Sequence, residues 1–225
     1  MKSLARYVVG AALIVTLVTS CTLSSHGASV GYNSVNGDTS YAASSDPVLL
    51  LLSPLLIAMY LWILRRPPVV GRSFVTAGIW RRLWAFLADF LFAMLMVTPW
   101  MGLIALLVEA HHTGHFDWVV HRQPAQDGDG TLVSLLLLPC MVLLLSYFAL
   151  PLSFGRATPG SVLLGIAVRP DSGRPLPFLT ALGRTALSYV AVCGCFISIP
   201  MALSNPEKRM WQDKACGTHV VQWTD

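Results

Sequence analysis

Four long apolar runs, separated by short charged stretches, constrain this chain more than any other feature. They extend from about Val48 to Leu64, Leu83 to Val108, Leu132 to Leu152 and Ala186 to Leu203. A helix that crosses the hydrocarbon core of a bilayer needs about 20 mostly apolar residues, and these lengths suit that task. None of the runs alternates apolar and polar residues with a period of two, so they predict helices and not barrel strands. Composition agrees. Only 12% of the residues are charged, against about 25% in soluble domains, which excludes an ordinary soluble fold. The first run is short and contains Pro54, while Pro99, Pro139 and Pro151 interrupt the next two and mark possible bends.

The formal net charge is +4, but no basic patch is interleaved with aromatic residues in the way single-strand nucleic-acid binding requires. The cations instead orient the chain, because basic loops stay on the cytoplasmic side. The stretch 65–82 carries Arg65, Arg66, Arg72, Arg81 and Arg82 and no acid. The stretch 153–184 carries Arg156, Arg169, Arg174 and Arg184 against Asp171, whereas 109–130 carries Glu109, Asp117, Asp127 and Asp129 against Arg122. The expectation is 65–82 and 153–184 inside, 109–130 outside. The side of the tail stays open. A fourth run that crosses once puts 204–225 outside, and one that dips and returns keeps it inside with Lys208, Arg209 and Lys214 near the membrane.

Residues 1–21 form a signal-like segment. Lys2 and Arg6 precede a 14-residue apolar stretch, Tyr7 to Ser20, which is short for a span. Val18-Thr19-Ser20-Cys21 resembles the signal for lipid attachment at a cysteine, so two readings stand: a lipoprotein-type signal modified at Cys21, or a generic signal or anchor. Residues 22–46 are rich in Ser, Gly, Asn and Thr and predict a flexible linker. Residues 47–66 predict a transmembrane helix that ends at Arg65-Arg66-Pro67-Pro68.

Asp89 is the acid well inside an apolar run after the leader, and a charge at such a position costs about 2.5–3.5 kcal/mol on insertion scales. It therefore predicts either a cation or proton site, or a structural carboxylate with a partner. Arg82 lies two helical turns earlier on the same face. Downstream, Thr158-Pro159-Gly160 and Gly165 precede the Asp171–Pro175 turn, and Trp211-Gln212-Asp213 through Gly217-Thr218 follow the last apolar run.

In this order and spacing, these blocks resemble the RDD family of bacterial membrane proteins, over about residues 77–221. The family is named for one arginine and two aspartates, which fall on Arg82, Asp89 and Asp213. The Thr158-Pro159-Gly160 and Gly165 block is similar to its central motif. Ser161 stands where the family often has Lys, and Gln212 where it often has His. The resemblance implies a three-helix membrane core and, because transport has been suspected for the family, a transport or sensing role.

Other motifs are weaker. His111, His112 and His115, with His121 and Asp117, crowd one loop and are weak metal-ligand candidates, since their spacing matches no known ligand set. A solvated loop is the plainer reading. Cys140, Cys193 and Cys195 lie in apolar runs and act as small hydrophobes, and no CxxC pair exists. Trp80, Trp84, Trp100, Trp118 and Trp211 suit interfacial anchoring. There is no glycine-rich phosphate loop, HExxH or GxSxG, so no enzyme and no cofactor is expected.

The fold class expected is an all-α membrane protein: a three-helix RDD-type core, one extra preceding transmembrane helix and an N-terminal signal-like segment. The expected setting is the inner membrane, multi-pass, with the lipid bilayer, small cations and a second copy of the chain as partners. Three or four helices enclose too little volume for a transport path in one protomer, which is why a homo-oligomer is expected. The function expected is movement or sensing of a small cation or solute. The alternative is a membrane scaffold or assembly factor without transport.

Overall fold

The Asp46-Pro47 step shows how local chemistry starts a membrane-length helix here. The Asp46 carboxylate accepts hydrogen bonds from Val48 N (2.8 Å) and Leu49 N (3.3 Å), and Pro47 takes the first helical position, where its missing N–H is no loss. In the computed structural model, which describes residues 2–23, 28–35, 38–65, 74–126, 128–193 and 209–223, the elements run as follows. Helix α1 is Lys2–Leu23, strands β1 and β2 are Ser29–Val35 and Asp38–Ser44, and helix α2 is Pro47–Leu64. Strand β3 is Phe74–Thr76, α3 is Ile79–Thr113, β4 is Val119–Arg122 and α4 is Asp129–Ser153. Then come α5 (Pro159–Leu164), β5 (Ile166–Pro170), α6 (Phe178–Cys193), α7 (Trp211–Ala215) and β6 (Thr218–Trp223).

Helices α2, α3 and α4 are each long and apolar enough to cross a membrane. Their exposed positions are oily: Leu51 and Leu55 on α2, Leu135, Leu138 and Met141 on α4. Such faces belong against lipid. The fourth expected span is described only as far as Cys193. Residues 194–208, and with them the question of which side the tail takes, lie outside the described residues.

Two expectations need correction. The fold is not all-α, because it carries two antiparallel three-stranded sheets, ordered β1-β2-β4 and β3-β6-β5. Within 22–46, expected to be a flexible linker, residues 29–35 and 38–44 are paired antiparallel strands in which Tyr32 faces Tyr41 and Val35 faces Asp38. The first three apolar runs are helical throughout, and the fourth is helical as far as Cys193; the strands lie outside the runs, where periodicity over three to seven residues is weak.

The chain forms two compact units. In the second, residues 12–58 and 93–143, Tyr41, Ala43, Ala105, Leu106, Val133 and Leu136 make the apolar core. Arg122 there pairs with Glu109 (3.0 Å) and Asp129 (2.8 Å) and lies over the Tyr41 ring at 5.0 Å. Burial, then Asp129 and Glu109, pushes the Tyr41 hydroxyl above its ordinary pKa. The first unit, residues 1–11, 59–92 and 144–225, holds the other sheet. In it β6 is the central strand: Val221 pairs with Thr76 of β3 on one side and Ala167 of β5 on the other.

Two prolines inside the helices, Pro54 and Pro151, free carbonyls that side chains fill. Pro54 deprives the Leu50 carbonyl of its helical donor, and the Ser53 hydroxyl donates to it at 3.1 Å. Pro151 does the same to Tyr147, whose carbonyl accepts from the Tyr60 hydroxyl at 2.8 Å. Those two rings stack with centroids 4.7 Å apart. A proline thus fastens α2 to α4 within the first unit.

Candidate functional site

Helix α4 ends where Gly155 takes a left-handed conformation, φ 65°, available to a residue with no Cβ. Its N–H and that of Arg156 donate back to the Leu152 and Pro151 carbonyls. The chain reverses and delivers Thr158 as the N-cap of α5, with Pro159 as the first helical residue. Gly165, also left-handed at φ 65°, closes this short helix. The block read from sequence as Thr158, Pro159, Gly160 and Gly165 is therefore a start signal and a stop signal for one six-residue helix.

That helix docks on Asp89, which is 2% exposed. One carboxylate oxygen accepts from Gly160 N (2.7 Å) and from the Tyr147 hydroxyl (3.0 Å); the other accepts from the Thr158 hydroxyl. Neutral donors from two elements surround this acid, and among the described residues no cation pairs with it. The cost of an intramembrane carboxylate is met by hydrogen bonds that charge strengthens. Gly160 is required by space. A Cβ there would sit 2.3 Å from the Ala85 carbonyl oxygen and 2.8 Å from Asp89 Cγ.

Arg82 and Asp213 meet directly, Nη1 to Oδ2 at 3.0 Å, with 7% and 1% exposure. Arg82 also donates from Nε to the Ala77 carbonyl (3.1 Å) and from Nη2 to the Val220 carbonyl (3.3 Å). Asp213, three residues into the start of α7, takes a second guanidinium on its other oxygen, that of Arg184. Arg184 further donates to the Thr218 hydroxyl at 3.0 Å. One buried carboxylate between two arginines leaves this cluster with one positive charge. It ties the N-terminal end of α3, α6, α7 and the central strand β6 together.

Arg82 and Asp213 are bonded, Asp89 touches neither, and all three line one cavity of about 670 Å³. Its walls also include Phe86, Phe148, Leu152, Arg156, Ser188 and Gln212. Arg184 and Tyr147 were missed from sequence. Arg184 reads in the sequence as one of the cations of a basic loop, yet it is buried inside α6. The signal that could have found it is a lone arginine within an otherwise apolar helical stretch. Outside the membrane-length helices, Asp171 pairs with Arg209 (2.9 Å) and His219 (2.8 Å). The His219 hydrogen bond, helped by Arg209, holds its carboxyl below the ordinary range.

The weak metal candidates do not come together as a site. His111 and His112 lie edge to face, and no group of three metal-ligating side chains gathers among the described residues. Cys21 falls at the end of α1, and nothing is described of its side chain.

A family model described as RDD family matches residues 76–217. No curated protein and no solved structure matches the chain.

Proposed function

This chain belongs to the RDD family, and from that premise we propose that it is a multi-span protein of the inner membrane that binds a small solute in its first unit and moves or senses it. One observation carries the reading. A cavity of about 670 Å³ has all three family-defining residues, Arg82, Asp89 and Asp213, in its wall. Charged groups lining an apolar cavity are the usual mark of a solute path in membrane proteins. A second copy of the chain would complete a path that one protomer is too small to enclose.

The scaffold alternative draws on a different observation. Every contact of Asp89 is an internal donor, which is what a purely structural carboxylate would show. Asp89→Asn separates the two. Asn can keep its oxygen toward Gly160 N and Tyr147 while its amide faces the Thr158 hydroxyl, which then turns to donate to Ser161 at 2.7 Å. The shape is kept and the charge is lost. In proteoliposomes loaded with a sodium, potassium or proton reporter, the solute reading expects a stable variant with lost flux or lost flux response. Normal flux with normal stability removes Asp89 from any transport role, and absence of flux in the parent protein favours the scaffold.

A further inference from the structure

The charges around the cavity do not balance. Arg82, Arg156 and Arg184 line it with Asp89 and Asp213, an excess of one cation. Arg82 and Arg184 already share Asp213. Arg156 has no carboxylate partner among the described residues, and its Nε is buried without a hydrogen bond. In the wall of the same cavity Gln212 is 6% exposed. Its amide nitrogen is spent on the Met210 sulfur (3.2 Å), and its carbonyl oxygen is buried without a partner. A buried donor and a buried acceptor left open in one cavity call for a ligand that brings the complementary groups.

The rest of the lining says what kind. Leu83, Phe86, Phe148 and Leu152 make it mostly apolar. Trp80 lines it too, yet is 74% exposed and sits at the first turn of a membrane-length helix, so the cavity reaches the surface where such a helix meets the interface. An occupant arriving there has an oily body and a compact anionic head.

We propose that this cavity is a binding site for an anionic glycerophospholipid, with the phosphate held by the Arg156 guanidinium and a headgroup hydroxyl donating to the Gln212 oxygen. Guanidinium matches phosphate in bidentate geometry, and the excess positive charge supplies the field that draws it in. The proposal rests on the same cavity as the functional reading and goes beyond it, because the lipid is a bound membrane partner there and not the small solute that is moved or sensed.

Native mass spectrometry of the full chain in neutral detergent tests it, with dioleoylphosphatidylglycerol, dioleoylphosphatidylcholine and dioleoylglycerol as probes and inorganic phosphate followed by thermal shift. One phosphatidylglycerol is expected to be retained in preference to the other two lipids. Arg156→Gln should weaken retention by about tenfold or more, the loss of one charge-assisted contact. Arg156→Lys should restore part of it, and Arg174→Gln, at an exposed arginine, should change nothing. Thermal unfolding of each variant checks that it is folded. Equal retention of dioleoylglycerol, equal effects of the two glutamine variants, or unchanged retention when Ser188→Trp fills the cavity would overturn the lipid site. Stabilisation by inorganic phosphate as strong as by lipid overturns the lipid source while leaving an anion site. Lipid retained without flux removes the transport reading alone, and flux without lipid retention removes this inference alone.

Discussion

Gly160 packs so closely on Asp89 that its backbone N–H reaches the carboxylate at 2.7 Å and no Cβ could fit between them. Gly160→Ala should therefore act as overpacking against backbone, with a loss of about 1–3 kcal/mol and no compensation from a flexible neighbour. Thermal unfolding in detergent would read it. An unchanged melting temperature would mean that α5 does not dock this way.

Asp89→Leu should cost more than Asp89→Asn. Leucine strands the Gly160 N–H and the Tyr147 hydroxyl, each worth about 1–3 kcal/mol when buried and unsatisfied. Asn satisfies both. Equal melting temperatures for the two variants would show that the hydrogen bonds are not what holds the acid.

Asp213→Ala should be the most damaging single change, because it leaves Arg82 and Arg184 buried against each other without a carboxylate. Breaking a buried pair from one side costs about 3–5 kcal/mol, and here one residue breaks two pairs. Asp171→Asn is the contrast: its partners are similar but its side chain is 40% exposed, so screening leaves it a small effect. Unfolding midpoints of both variants, measured side by side, would decide. Comparable losses would contradict the burial argument.

Orientation follows from loop charge and is open to direct labelling. With native cysteines removed, Val75→Cys should react with an impermeant maleimide only after lysis of spheroplasts, and Phe116→Cys before lysis; both side chains are exposed. The reverse pattern inverts the topology.

For the leader, Cys21→Ala should abolish incorporation of labelled palmitate if the lipoprotein reading holds. Unchanged incorporation, or an intact Met1 by mass spectrometry, rejects it.

What the sequence made legible was local. Three spans emerged because hydropathy over some 20 residues is a local sum, and α2, α3 and α4 lie where the runs did. Helix α3 overshoots its run at both ends, reaching Ile79 and Thr113, because Arg82 and Glu109 find partners that make their charges tolerable. Those partners are distant in sequence and left no local trace. The hairpin β1-β2 was masked by its small polar residues, although Asn36-Gly37 between two strands is a strong hairpin signal. The pairing of sheet β3-β6-β5 could not be read, since it joins strands of three, six and five residues that lie far apart in sequence. The family motifs located Arg82, Asp89 and Asp213 but not their bonds. Arg184 is not legible from the charge of its stretch, because its partner Asp213 lies 29 residues further on.

The span between Arg82 and its acid partner has a consequence for how the molecule is made. Asp213 follows Arg82 by 131 residues, and the strand carbonyl that also binds Arg82 follows it by 138. Asp89 waits 58 residues for Tyr147 and 71 for Gly160. During synthesis, α3 therefore leaves the ribosome and meets the insertion machinery with a naked guanidinium and a naked carboxylate. Contacts so remote close late and slowly, and incompletely closed chains are what quality-control proteases recognise. A nascent chain arrested before α7 would already hold every donor to Asp89, yet would carry Arg82 and Arg184 without the carboxylate that joins them, so the making of α7 is the step that completes this cluster.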